Sequence, residues 1–398
     1  MAHSAPVFTE AELRYLNVFT VTELHRISSI RAILNSAESR RIPIERDAAP
    51  EHIAKVVEHQ ADSAGLAADC EELTHNAAIV IWGGDPTEPR FPLLCVCRNA
   101  ITDPALRHYV LPASLGQFVQ TDYANRSPLR GVSPYVNITE AAAAARFGEE
   151  GYGFVTCTPT LDRAHNKNQI RHGKQPDGLV LSKDMMKSSG ALKSTTNLIA
   201  QLAPIRAVCN SVWAALDPWT WRRARDHFHN LFHFMHCMTL LDHPKDKYNA
   251  FSGMRAEVNM DRAIWRDDDY HPDFLAAIVC AQDSGLIRKA RKARDLGETV
   301  EEPAPTIDEW VVCYTLGFKV RIHPGDFILL DTYRVPYLFH IQARPKGIDH
   351  YRIMFFNSFD TIEQVRLEQE IRRERKANMI GKDERKILVT DELSSRKQ

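Results

Sequence analysis

The sequence predicts an α+β chain whose C-terminal third forms an antiparallel barrel behind a helical and mixed α/β N-terminal portion. Three observations predict it. Apolar residues recur at helical spacing near the start, short β-rich runs bounded by Gly and Pro turns follow, and strand-like runs succeed one another from 253 to 356.

The helical start rests on Thr9 followed by Glu12, a capping-box pattern, and on Leu24, Ile27, Ile30 and Leu34 at helical spacing up to Pro43. A shorter amphipathic helix is expected after Pro50, with Ile53, Val56 and Val57 on one face. The texture changes at 78–82 and 93–97, two β-rich runs expected to pair. Thr139 before EAAAAARF marks a further helix, and 151–158 and 178–181 are two more candidate strands. The polar, basic stretch between them predicts a solvated loop, with phosphate contact as the competing reading. From 220 to 242 the pattern is helical again. Trp213, Trp219 and Trp221 around Asp217-Pro218 predict a packed helix start rather than a base-stacking platform. Asp360 with Glu363 caps a charged helix running to about Lys376, whose cations alternate with acids as on a salt-bridged exposed face. The chain thus divides into an N-terminal region (1–205), a barrel with its support helix (206–360) and a charged tail (361–398).

Composition narrows the function classes. At 398 residues the chain is longer than one hydrophobic core usually supports, which predicts one elaborated domain or two packed together. With 44% hydrophobic and 25% charged residues it is globular, and a net charge of −1 leaves no global field toward nucleic acid or membrane. The eight cysteines include no CxxC pair, so reduced, buried thiols are expected, with Cys95 and Cys97 on one face of a strand. The first residues lack the basic start and apolar run of a signal peptide, and no run approaches membrane-spanning length; a cytoplasmic or nuclear protein is expected.

Two constellations offer chemistry. His229, His233 and His236 form one helical stripe on which three imidazoles could meet an ion, although boundary histidines beside Phe228, Leu231, Phe232 and Met235 explain them as well. The second lies in 323–356, read as turn, strand, excursion, strand, loop and strand. Pro324, Gly325 and Asp326 make the turn, and inward side chains of successive strands would bring His340 and Arg352 to one mouth. An imidazole suits an iron site, and a guanidinium clamps a carboxylate bidentately.

A Gly-Asp turn, a His fourteen residues after the Asp and an Arg twelve beyond that resemble the closing strands of the iron(II)/2-oxoglutarate dioxygenases. The resemblance covers roughly 253–356 and implies a double-stranded β-helix, or jelly-roll. It implies His340 as the distal ligand to Fe(II) and Arg352 as the residue binding the far carboxylate of 2-oxoglutarate. The family also has an HxD pair earlier, and here the sequence departs from it. One register puts Asp267 at the acid and Trp265 at the histidine; indole has no lone pair for a metal, so the triad is then broken. A literal HxD stands at His271 and Asp273, and Asp267 with His271 is a third arrangement. The long N-terminal portion and a basic insertion at 284–305 look most like the branch that hydroxylates nucleic-acid bases, which implies a nucleic-acid partner. A solvated helix on a long loop is the competing explanation of that insertion. The alternative function is a barrel that kept its fold, lost its metal and serves as a binding or scaffolding module.

Overall fold

The computed structural model describes residues 7–43, 67–84, 90–103, 153–157, 159–161, 179–181, 189–231, 248–258, 262–265, 271–284, 308–343 and 348–359, with isolated positions besides. Five α-helices and two mixed sheets among these residues make an α+β fold.

Helix α1 (Glu10–Tyr15) begins with the expected capping box of Thr9 and Glu12, and α2 (Val21–Asn35) with a second, of Thr20 and Glu23. Ile27 and Leu34 of α2 are buried, with Leu24 and Ile30 packed beside them. The helix stops well before Pro43. Ser36 caps it, and residues 38–42 form an edge strand, β1 (Glu38–Ile42), parallel to β3 (Ala78–Gly83). The ESRRI segment alternates half-buried and exposed side chains, the period of a strand and not of a helix. The runs expected to pair do so, as β3 and β4 (Phe91–Cys97), antiparallel.

Two facing sheets carry the rest. The larger adds β5 (Gly153–Cys157), β8 (Gly253–Val258), β10 (Ala276–Ser284), β13 (Phe327–Leu330) and β15 (Ile348–Phe356), in the order β1-β3-β4-β13-β10-β15-β8-β5. The smaller holds β2 (Glu71–Glu72), β9 (Arg262–Trp265), β11 (Asp308–Cys313), β12 (Phe318–Ile322) and β14 (Tyr337–Ala343), in the order β2-β12-β11-β14-β9. The last eight strands therefore divide equally between the sheets, with β8, β10, β13 and β15 in one and β9, β11, β12 and β14 in the other, and the chain changes sheet at every step except β11 to β12. A small separate hairpin pairs β6 (Pro159–Leu161) with β7 (Leu179–Leu181).

Central strands of the larger sheet are buried on both faces, which explains why β4 and β13 are almost wholly apolar. One face (Ile79, Val96, Ile278, Ile328, Met354) meets the smaller sheet. The other (Val80, Cys95, Cys97, Val279, Phe327, Ile353) meets a helical layer of α2, α3 (Ser189–Gln201), α4 (Ala203–Leu216) and α5 (Pro218–Leu231). Cys95 and Cys97 share that face as expected, and burial pushes both thiols up, Cys97 to about 11. Helical structure begins earlier than the expected 220. Asp217 caps α5 by accepting from the Thr220 amide at 3.1 Å, with Pro218 in the first turn. Trp213 and Trp221 are fully buried there, their indole N–H groups donating to Thr220 and Asn210, whereas Trp219 is exposed under Arg223. No single helix among the described residues is long and apolar enough to cross a membrane. The helices expected after Pro50 and Thr139, the basic loop between β6 and β7 and nearly all of the 284–305 insertion lie outside the described residues. So does most of the C-terminal helix, where Arg366 and Glu370 form an exposed pair at 2.8 Å.

Candidate functional site: a buried ionic cluster between the sheets

The period of two along β15 sets the site. Tyr351, Ile353 and Phe355 point to the helices, so His350, Arg352, Met354 and Phe356 face the smaller sheet. On β8, Met254 and Ala256 take the helical side, leaving Arg255 and Glu257 inward. On β11, Val311 and Cys313 are inward, and Glu309 is in phase with them.

These phases, with Cys280 of β10, bring six charged or ionisable side chains together. Register places Arg352 directly opposite Glu257 on one side and Cys280 on the other. Its guanidinium donates from Nη1 to Glu257 Oε2 at 2.8 Å and from Nη2 to Glu309 Oε1 across the interior. Glu309 Oε2 meets His350 Nε2 at 2.6 Å, and Arg255 Nε lies 2.9 Å from Glu257 Oε1. The Phe339 ring covers Arg352, its centroid 3.5 Å from the guanidinium carbon. Arg352 is completely buried, and Glu257, Glu309 and His350 nearly so. Burial raises the Glu309 pKa, but His350 and Arg352 outweigh it through charge and hydrogen bonds and hold the carboxyl at about 2. The Cys280 thiol is pushed well above its ordinary value by burial, with Glu309 adding to the shift.

Arg352 thus sits at a strand interface, pointing inward, with both of its terminal nitrogens taken by the chain's own carboxylates. His340 does not join it. Tyr337 and Phe339 hold the inward positions of β14, so His340 falls on the outer face, its ring 6.1 Å from that of Trp310. The expected mouth shared by His340 and Arg352 is therefore replaced by opposite faces of the smaller sheet. Its cause is one residue of strand phase. The Gly325-Asp326 turn is present, with Gly325 at φ 92°, a left-handed value that favours glycine. Asp326 accepts from the Asn99 amide at 2.8 Å and pairs with Arg98 at 2.7 Å. Those bonds, together with His323, hold its carboxyl below the ordinary value although burial acts the other way.

The HxD alternatives also lie apart from Arg352. The His271 ring stacks on Phe274 at 4.6 Å, in the core on the helical side, and accepts from the Asp273 amide through Nδ1. Asp273 pairs with Arg223 of α5 at 3.4 Å. Asp267 lies outside the described residues, and so does the side chain of Trp265, whose backbone stands opposite Tyr337. Of the helical stripe, His229 is exposed beside Phe228, and His233 and His236 lie outside the described residues.

The sequence alone singles out none of Glu257, Cys280, Glu309 and His350. Their signal is nonetheless there: a polar residue two positions from an inward apolar one in Glu309-x-Val311, Ile278-x-Cys280 and His350-x-Arg352-x-Met354. Only the pairing of strands distant in sequence shows that these positions share one interior.

The chain matches no known family model, and no curated protein matches it in sequence. It is structurally similar to a solved structure described as NgTET1 in complex with 5mC DNA. The likeness has a TM-score of 0.45 and 7% identity, over 88% of this chain and 98% of that one. This is a distant likeness of overall shape.

Proposed function

We propose that β8–β15 is a jelly-roll related to the iron(II)/2-oxoglutarate dioxygenases that no longer binds a cosubstrate and serves as a binding or scaffolding module. The strand order supports the jelly-roll, since the last eight strands divide four and four between the sheets and the chain changes sheet at every step but one. The observation that carries the loss of activity is the bonding of Arg352. A guanidinium that clamps 2-oxoglutarate must offer its donors to an incoming carboxylate, whereas these are held by Glu257 and Glu309 at full burial. The metal fits no better, because His340 faces away from Arg352 and His271 with Asp273 stands in another layer. Fe(II) and 2-oxoglutarate are therefore not assigned to these residues.

Such a module works by presenting its surfaces on a rigid interior. Nucleic acid is the partner class proposed for it, on the basic run 288–294 of the insertion. Salt-dependent anisotropy of a labelled duplex, compared with a variant in which those cations are neutralised, checks that part.

The test of the main reading is anaerobic titration of the full chain with iron(II) and 2-oxoglutarate, watching for the visible charge-transfer band of their chelate. The expected result is no 2-oxoglutarate-dependent band. A saturable band lost in Arg352→Ala and His340→Ala would overturn the reading and restore a working oxygenase.

A further inference from the structure

We propose that Cys280, Glu309 and His350 form a binding site for a divalent metal ion of the zinc and cobalt class, set between the two sheets. Their donor atoms, one thiol sulfur, one carboxylate oxygen and one imidazole nitrogen, all lie within 4.8 Å of one another. Each comes from a different strand, β10, β11 and β15, and all three residues are buried. None of them belongs to the ligand set that the sequence suggested, which used His340 with Asp267, His271 or Asp273.

The donor chemistry selects the ion. A sulfur and an imidazole beside a single carboxylate suit zinc or cobalt(II), whereas magnesium and calcium demand a shell of oxygens. Arg352 touches two of the three donor side chains, Cys280 and Glu309, and stands beside the ion as an outer cation. Arg352 engages Glu309 through Oε1, so Oε2 is the oxygen turned to His350 Nε2. An ion between Oε2, Nε2 and the Cys280 sulfur leaves the Arg352 bond in place as an outer hydrogen bond fixing the ligating carboxylate. The Nε2 to Oε2 separation of 2.6 Å must open to about 3.3 Å, the spacing of two ligands on one tetrahedral ion. Side-chain rotation on two facing strands supplies that much.

The charges balance simply. The Cys280 thiol loses its proton to solvent as the sulfur–metal bond forms, and His350 ligates as an imidazole whose Nε2 carries no proton, one held there being released to solvent as well. No electron is transferred. Binding therefore strengthens as pH rises. The ion joins the two sheets by bonds from β10 and β15 to β11, so it acts as a structural clasp for the interior.

The site goes beyond the non-catalytic reading and does not depend on it. The experiment contains no 2-oxoglutarate, so a failure here leaves that reading standing. The metal-stripped, reduced full chain is titrated with cobalt(II) alone. One equivalent is expected to bind with a near-ultraviolet thiolate-to-cobalt band, bleached by zinc. The band is expected to vanish in Cys280→Ser and to persist in Cys313→Ser, which removes another thiol lining the same interior. X-ray absorption of the wild-type complex guards against a Cys280→Ser variant that fails to fold, and is expected to show one sulfur with nitrogen and oxygen ligands. Absence of the band, its survival in Cys280→Ser, or a first shell with no sulfur or several would overturn the site.

Discussion

Along β15 the space between the sheets changes character within two residues. Met354 and Phe356 lie among Ile278, Leu330 and Tyr337, an apolar end packed as a protein core ordinarily is. His350 and Arg352, on the same face of the same strand, lie among Glu257, Glu309, Arg255 and Cys280. Both ends are buried to the same degree, so burial alone does not choose between them. An apolar end gains stability from every side chain removed from water. The charged end must first lose the hydration of four or five groups, and mutual pairing offsets that loss without a large surplus. What such an end supplies is uniqueness of register: Arg352 finds carboxylates on both sheets only when β8, β11 and β15 are all in phase.

The largest effect that would break this contrast comes from removing one partner. Arg352→Ala removes the cation that joins Glu257 to Glu309 and leaves each with one buried partner fewer, and urea denaturation should record a loss of about 3–5 kcal/mol. Acid comes next. Glu309 has its pKa lowered from 4.5 to about 2, so its contribution is complete above about pH 4.5 and is lost as pH falls toward 2. The span corresponds to a contribution on the order of 3 kcal/mol, and Glu309→Gln should flatten the stability profile across that window. At the apolar end, Phe356→Leu keeps the chemistry and changes only shape, and should cost about 1 kcal/mol in the same assay. The smallest change is expected from replacing the whole cluster together, Arg352→Met and Arg255→Met with Glu257→Leu, Glu309→Leu and His350→Leu, since each of these groups is paired within the cluster. Stability should move by less than about 1 kcal/mol in either direction, because no uncompensated charge remains. A large loss in that variant would show that the charged end stabilises the fold outright.

The same contrast marks how much the sequence made legible. The apolar parts were readable: the 78–82 and 93–97 runs, the FILL and RIMFF strands and the Gly325-Asp326 turn all depend on local pattern, and the structure places β3, β4, β13, β15 and the turn there. Misreadings arose where local pattern was ambiguous. ESRRI before Pro43 continued a helical run by proximity, although its alternation belongs to β1. Residues 189–201 do not read as a helix because their Ser and Thr run looks like a loop, and 203–216 because a nearly continuous apolar run blurs the helical period.

The site was less legible than the fold. The alternation around Arg352 predicts an inward side chain and the structure places it inward on β15, but its partners Glu257 and Glu309 lie 95 and 43 positions away in sequence and no local rule connects them. An inward His340 follows from the projection of successive barrel strands into one mouth, a reading that leaves the strand's phase open by one. Tyr337 and Phe339 settle the phase, and only their packing reveals it.

The most direct test of the central claim, that the chain's own carboxylates hold Arg352, is the thermal unfolding of the full chain with increasing 2-oxoglutarate, with and without manganese(II). With the guanidinium already engaged, the dicarboxylate should leave the midpoint unchanged in wild type and in Arg352→Lys alike. A saturable rise in wild type that disappears in Arg352→Lys would show that Arg352 is open to an external carboxylate and would contradict the account.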